Sequence, residues 1–424
     1  MRLDQLHIQN FRCYEDATFD FQPGFNLVVG VNGSGKTSLL QAVAVALIDI
    51  TNVSQGYFTP LEEELVRFTT NKFRKRARFE QCYPMQIEAK GEAFDVTAWS
   101  ISKKHNDGAS SSDRVLHQAM TQVKQSLSAS DNSTDLPIAA FYRADRRWGQ
   151  SGITAESAAS QKVSRMHGYA GWADAAANLA DFESWFIGQT LERLERIAEM
   201  STDVNDAEDE LTIVNNAIKK ALPNAWGLRY DLNLRSLIVD LTPQKSLPFH
   251  NLSDGQRALI ALVADIARRM CLLNPHMGDD VLINTAGIVI IDELDIHLHP
   301  AWQRIIASVL KQAFPKVQFI AASHSPQIIG SLKPGEVILL NNGDASHPRV
   351  TYGLDSSRVL EEVMGVSERE PEVETLLNEL FSTIEDNDLD KAKGQLEALK
   401  EIAPDLPEFA GAHALIRRKE ILGK

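Results

Sequence analysis

Ala286 to Ile291 (Ala-Gly-Ile-Val-Ile-Ile) is apolar at every step, which predicts a parallel strand covered on both faces. Phe25 to Val29, Leu136 to Tyr142 and Val317 to Ala322 read as further short strands of the same kind. Between them the pattern changes period. The run Ser38 to Leu47 is apolar nearly all round, as a helix buried under a sheet should be. Leu3 to Tyr14, Ala17 to Phe21 and a pair across Arg78 to Lys103, turning at Lys90-Gly91-Glu92, read as antiparallel strands. His105 to Asp113, rich in Gly, Ser, Asn and Asp, reads as a loop.

From about Ala155 to Asn224, Phe182, Trp185, Phe186, Leu191, Leu194 and Ile197 recur at helical spacing, and a second helix is expected over Asp206 to Ala221. The segment has no sustained heptads and no Cys-x-x-Cys hook, so a long coiled coil is not expected. A strand pair over Leu228 to Asp240 leads to a helix at Gln256 to Cys271. Pro300 to Phe314 is the helix after the apolar strand, and beyond Tyr352 the pattern is helical to the end. The class is α/β, with four expected regions: an N-terminal lobe (1–150), a helical insertion (151–245), a C-terminal lobe (246–350) and a helical tail (351–424).

Chemistry concentrates at the strand ends. Gly30-Val31-Asn32-Gly33-Ser34-Gly35-Lys36-Thr37 fits G-x-x-x-x-G-K-[ST] between an apolar strand and a helix. Its glycines let backbone N–H groups from Asn32 to Ser38 curl around a phosphate at a helix N-terminus. Lys36 is suited to reach the β- and γ-phosphates of ATP, and the Thr37 hydroxyl to ligate Mg²⁺. Asp292, at the end of the apolar strand, suits the metal's shell, and Glu293 is placed to polarise an attacking water. Ser253, Gly255 and Gln256, in Leu252-Ser253-Asp254-Gly255-Gln256, combine a hydroxyl, a bare backbone and a helix start that suit a second anion, or else an ordinary N-cap. His324, after the last apolar strand, is positioned for a γ-phosphate sensor, although a lone histidine is more often structural. His297 and His299, two apart with no cysteine near, read as structural or dimer-contact residues rather than metal ligands. A glutamine suited to contact the metal or its water is not obvious: Gln86 is one candidate, the stretch Tyr142 to Arg146 occupies the more plausible region, and no residue is assigned.

Composition narrows the class further. In 424 residues, 44% hydrophobic and 24% charged, nothing approaches a membrane-spanning run, the N-terminus does not read as a secretory signal, and three scattered cysteines suit a reducing compartment. A cytoplasmic protein is expected. The net charge of −14 excludes general attraction to nucleic acid. DNA contact would have to come from Lys72, Arg74, Lys75, Arg76 and Arg78, or from Arg143, Arg146 and Arg147, which read equally well as a solvated edge and as internal pairs.

Phosphate loop, Leu-Ser-x-Gly-Gln, acidic strand end and histidine occur in an order that resembles the RecF/SMC-like branch of the ATP-binding cassette ATPases. Leu6 to Arg12 resembles that branch's opening strand, which implies that Arg12 lies near the nucleotide. Ile291 to Pro300 with Ser323-His324-Ser325-Pro326, Ala140 to Arg146, Leu262 to Arg269 and Ile416 to Lys424 resemble the anti-phage group, and the PtuA-type ATPase of the Septu system with its retron-associated relatives. The resemblance covers nearly the whole chain. It implies an ABC-type head (a mixed sheet with a phosphate-loop core plus an antiparallel subdomain) with a helical insertion and a helical tail. It also implies a homodimer or higher oligomer closing around ATP and Mg²⁺, with Ser253 and Gly255 acting in trans and an HNH endonuclease as partner. Asp254 stands where the family's signature usually has glycine, implying a weaker γ-phosphate contact and slower turnover. Related nucleases carry a Toprim domain after the histidine loop. Here about a hundred residues follow His324 without its acidic cluster, so no nuclease site is expected. The alternatives are a DNA repair or recombination ATPase acting on ends, and an ATP-sensing scaffold that does not hydrolyse.

Overall fold

The computed structural model describes residues 1–51, 63–73, 76–106, 111–128, 133–145, 164–200, 209–222, 225–242, 245–341, 343–367 and 369–422. They form two compact units, Met1–Asp355 and Ser356–Lys424.

The first unit is built on a six-stranded sheet in the order Asp344–Ser346, Val337–Asn341, Phe25–Val29, Val317–Ala322, Gly287–Ile291, Ile138–Tyr142. All its pairings are parallel except the outermost one, Val337–Asn341 with Asp344–Ser346. The four strands from Phe25–Val29 to Ile138–Tyr142 are buried at every residue. That is why they read as unbroken apolar runs, with helices such as Lys36–Ala46 covering the sheet. Two polar members are satisfied inside it: Asn26 bonds to Gln22 and Phe319, and Gln318 clasps the Leu3 backbone through both its donor and its acceptor. Every one of these strands ends where the candidate chemistry begins.

A five-stranded sheet (Tyr14–Asp20, Arg2–Phe11, Met85–Ala93, Val96–Lys103, Ser111–Ser112) supplies the antiparallel subdomain. Several details differ from the sequence reading: residues 78–81 lie in a separate ribbon, not in the pair expected over Arg78 to Lys103, and Ser111–Ser112, within the expected loop, pairs with Val96–Lys103. The hairpin turns at Phe94 and Asp95, both at positive φ, not at Lys90–Glu92. Gly91 is instead a strand residue on which the Arg2 backbone lies so closely that a Cβ would stand 2.1 Å from the Arg2 carbonyl oxygen. The first strand also stops at Phe11, because Arg12 takes a left-handed conformation (φ 50) and the chain reverses before Tyr14. Phe68–Phe73 and Arg76–Gln81 form a separate two-stranded ribbon, and Val115–Ser128 is a helix the pattern did not announce.

The insertion contributes helices Leu179–Met200 and Glu210–Ala221, then a three-stranded sheet (Gly227–Asp231, Ser236–Thr242, Lys245–Pro248). Helix Asp254–Leu273 follows. The helix expected over Pro300 to Phe314 is two pieces, Pro300–Gln303 and Ile306–Ala313. Among the described residues no helix is long and apolar enough to cross a membrane.

The second unit opens with a short helical turn, Ser356–Arg358, that runs into a π-helical turn at Val359–Val363, and packs three helices, Pro371–Glu385, Leu389–Ile402 and Glu408–Leu422. Leu377, Leu380, Ile384, Leu396, Leu399, Phe409 and Ile416 make its core. Their spacing within each helix puts them on one face, as an amphipathic helix requires.

Candidate functional site

The phosphate loop is shaped by its glycines and by a tyrosine. Gly33 and Gly35 sit at φ 82 and φ 104, a region that side chains resist. Gly35 is further constrained by contact: a Cβ there would lie 2.6 Å from Tyr14 Oη and 2.9 Å from Cys13 Sγ. Tyr14 Oη donates to the Gly35 carbonyl at 3.0 Å, and burial holds its phenol well above the ordinary value. Lys36 is only 8% exposed, and its ammonium donates to the carbonyls of Gly30 (2.9 Å) and Val31 (3.1 Å), curled back into its own loop. Burial lowers its pKa, while Asp292, Glu293 and Asp295 pull in the opposite direction.

Residues 255 positions apart meet at the next step, where Thr37 Oγ1 donates to Asp292 Oδ2 at 2.9 Å. Asp292 is buried (4% exposed) at the end of strand Gly287–Ile291, and its N–H donates to the Tyr142 carbonyl at 2.8 Å. Its Oδ1 accepts from the Glu293 N–H at 3.1 Å. Glu293 itself is exposed and held at φ 47, a strained conformation for a residue with a side chain, which turns it out of the strand direction.

Asp295 ties this turn to the neighbouring strand end. Its carboxylate accepts from the Ser323 hydroxyl and from the His324 N–H (3.4 Å). His324 is partly buried. Desolvation and then the Lys36 charge push its pKa below the ordinary value, so at neutral pH it is an uncharged donor and acceptor. Gln303 completes the brace: its amide donates to the Leu298 carbonyl at 2.8 Å and its oxygen accepts from Ser325 Oγ at 2.7 Å. Ser325 in turn caps the short helix that follows it. Lys36, Thr37, Asp292, Glu293 and His324 thus form one electrostatic neighbourhood.

The signature stretch is arranged differently. Ser253 Oγ accepts from the Gln256 N–H and donates to Gln256 Oε1 at 3.1 Å, an N-capping box closed within one helical turn. Asp254 pairs with Arg257. Gly255 is buried against the Leu-His-Pro segment, where a Cβ would stand 2.3 Å from the His297 carbonyl oxygen. A shallow depression of Ser253–Gln256, His297, Leu298, His299 and Trp302 lies over this contact. His299 Nδ1 accepts from the Ala301 N–H at 3.2 Å, a structural cap.

The expected nucleotide and Mg²⁺ can be tested against what these residues leave open. Among the described residues Ser34 Oγ and Arg12 Nε are buried without a hydrogen-bond partner and are open to a further one, water or ligand. The first-turn N–H groups of helix Lys36–Ala46 have no partner within the helix. A threonine hydroxyl bonded to one carboxylate is the protein side of a Mg²⁺ site, whose remaining places phosphates and water fill. The donor set fits the group. Asn32 is exposed at the mouth of the loop and Ser38 lies one residue beyond Thr37.

Of the basic candidates, Arg78 is exposed beside Glu80 (3.4 Å), while Arg143 donates to the Ala173 carbonyl (3.1 Å) and lies over the Phe141 ring. Lys72 and Arg76 stand on the ribbon strands; Arg74, Lys75, Arg146 and Arg147 lie outside the described residues. Gln86 donates to Glu88 in the antiparallel sheet. Sequence reasoning gave no role to Tyr14, Asp295 or Gln303. Asp295 alone carried a signal, being an acid two residues past Glu293.

Comparison with known proteins follows the same lines. A family model described as "AAA domain" matches residues 5–237, and one described as "AAA ATPase domain" matches residues 186–329. The chain is 26% identical to the retron Ec83 probable ATPase of Escherichia coli, over 88% of this chain and 78% of that protein. It is 22% identical to the Septu protein PtuA of Bacillus thuringiensis, over 92% and 91% respectively. A stretch covering 21% of the chain is 30% identical to the DNA replication and repair protein RecF of Lactococcus lactis, of which it spans 24%. Among solved structures, an SMC head bound to the C-winged helix domain of ScpA aligns with TM-score 0.48 and 14% identity, covering 82% of this chain and 97% of that one. The chain belongs to the AAA-domain family and is similar along most of its length to a retron probable ATPase and to the Septu protein PtuA.

Proposed function

We propose that two copies of this chain close around MgATP, hydrolyse it slowly, and use the closed state to control a partner HNH nuclease in anti-phage defence. The observation that carries the reading is the Thr37–Asp292 bond, which joins the phosphate loop to the acidic strand end within reach of Glu293 and His324. Lys36, released from the Gly30 and Val31 carbonyls, meets the phosphate charge, and the loop N–H groups with Ser34 and Arg12 bind around it. Thr37 and Asp292 would hold Mg²⁺, which when bound neutralises phosphate oxygens and orients them for in-line attack. Glu293, exposed and turned outward, accepts a proton from the attacking water. Neutral His324 donates a hydrogen bond toward the γ-phosphate. Ser253, Gly255 and Gln256 serve the nucleotide of the second copy.

The nuclease partner is supported by likeness to the Septu and retron proteins, and the helical bundle of the second unit is the surface we assign to partner or self-assembly. DNA contact through the ribbon, where Arg78 is exposed, belongs to the same reading. The decisive experiment is Glu293→Gln: ATP should bind and hold copies together while hydrolysis falls by roughly a hundred-fold or more. Normal hydrolysis by that variant would defeat the assignment of Glu293.

One observation favours a slower variant of this reading. With Asp254 paired to Arg257 and Ser253 engaged in its own cap, the signature must reorganise before it can serve a phosphate. The chain then senses ATP more than it consumes it.

A further inference from the structure

Twelve residues beyond Ser253, the same helix carries a buried charge cluster that the reading above does not use. Asp265 is 1% exposed and accepts four hydrogen bonds from three side chains. Arg268 donates from Nε (3.0 Å) and Nη2 (2.7 Å), Arg269 from Nε (2.8 Å), and Tyr142 from its hydroxyl (2.8 Å). Arg269 is fully buried, and its Nη1 goes on to the carbonyls of Gly168 and Ala170 at 2.9 Å each. Its Nη2 is buried with no partner among the described residues. One acid and two guanidiniums leave a net positive charge in the interior. Apolar clusters of the same volume are often at least as stable as buried ion clusters, so stability alone is a poor reason for it.

The cluster is wired to the site by a single residue. Tyr142 is fully buried at the end of strand Ile138–Tyr142; its hydroxyl is held by Asp265, and its carbonyl accepts the N–H of Asp292. An unbroken chain of hydrogen bonds therefore runs from Gly168 and Ala170 through Arg269, Asp265, Tyr142 and Asp292 to Thr37. The helix that starts at the signature serine is fastened, through one phenol, to the backbone that aims the candidate metal carboxylate.

We propose that Tyr142 and Asp265 are positioning residues that set the Asp292 carboxylate according to where the signature helix sits, coupling closure over nucleotide to the affinity for the divalent cation. The proposal rests on the nucleotide reading of the site but not on turnover.

Tyr142→Phe tests it, since the ring, the volume and the strand are kept and only the hydroxyl is lost. The readout is the Mg²⁺ concentration that half-saturates ATPγS binding, alongside binding of the nucleotide in EDTA and the melting temperature. Tyr169→Phe is the control, because Tyr169 is equally buried in the same region but its hydroxyl serves only the Pro137 carbonyl (2.7 Å). Tyr142→Phe is expected to raise the Mg²⁺ midpoint by about ten-fold, the scale of a lost bond to a charged group, with metal-free binding unchanged. Tyr169→Phe is expected to lower the melting temperature without moving the midpoint. An unshifted midpoint in Tyr142→Phe, or equal shifts in both variants, overturns the proposal. A wild-type protein that binds MgATPγS but never hydrolyses ATP would instead sink the turnover reading and leave this test intact.

Discussion

The phosphate loop and the signature turn are both helix N-termini preceded by glycine or serine, yet their polar groups are in opposite states. At the loop, Ser34 Oγ and Arg12 Nε are buried without partners and Lys36 is borrowed by two backbone carbonyls. At the signature turn, Ser253 and Gln256 satisfy each other and Asp254 is paired with Arg257. A single copy is thus prepared to receive a phosphate at one place and closed to it at the other. On the proposed reading the signature is the half that a second copy's nucleotide completes, and the difference between the two turns is what that reading has to explain.

The sharpest ways to break that contrast act on the loop. Lys36→Ala is expected to weaken ATP binding by about a hundred-fold or more, since it removes a charge-assisted contact to phosphate, and equilibrium dialysis would show it. Glu293→Gln should leave binding intact and depress turnover by about 10²–10⁴-fold, the usual range for a general base, measured as phosphate release. If Lys36→Ala still bound ATP with wild-type affinity, the loop would not be the prepared half.

A substitution on the other half separates packing from ligand chemistry. Gly255→Ala places a Cβ 2.3 Å from the His297 carbonyl oxygen, which cannot be relieved by a rotamer. Overpacking of that kind costs about 1–3 kcal/mol, visible as a lower melting temperature, and it should also weaken nucleotide-driven association. A change in stability with association unaffected would mean that the turn is only a cap.

The smallest expected effect is a pH dependence. His324 has a folded pKa below its ordinary value of 6.5, so the folded state resists protonation more than the unfolded chain does. Stability is then unaffected above that ordinary value, falls as pH drops below it, and stops falling beneath the folded value. His324→Gln should flatten that slope in a melting series from pH 8 to 5. The site is open enough to solvent that the effect is small.

How far the sequence reached follows from which physics is local. Strand Val317–Ala322 was legible to its ends because burial on both faces leaves an unbroken apolar run. The N-terminal strand is shorter than the pattern implies because nothing in an arginine such as Arg12 advertises a left-handed backbone. Gly91 looked like a turn because close backbone approach and a turn demand the same residue. Lys36, Thr37 and Asp292 are brought together as the loop and strand end imply, whereas Arg12 is placed by a turn that the pattern missed. Tyr142 and Asp265, 123 positions apart, carry no mutual signal at all, since only the tertiary fold makes them partners.

The account stands or falls on whether the two halves are shared between copies. Lys36→Ala and Ser253→Arg should each abolish ATP hydrolysis when purified alone, the first lacking a loop and the second a signature. Mixed in equal amounts, they should recover hydrolysis, because the mixed pair contains one site with an intact loop from one copy and an intact signature from the other. No recovery on mixing, with full activity retained by Ser253→Arg alone, would contradict it.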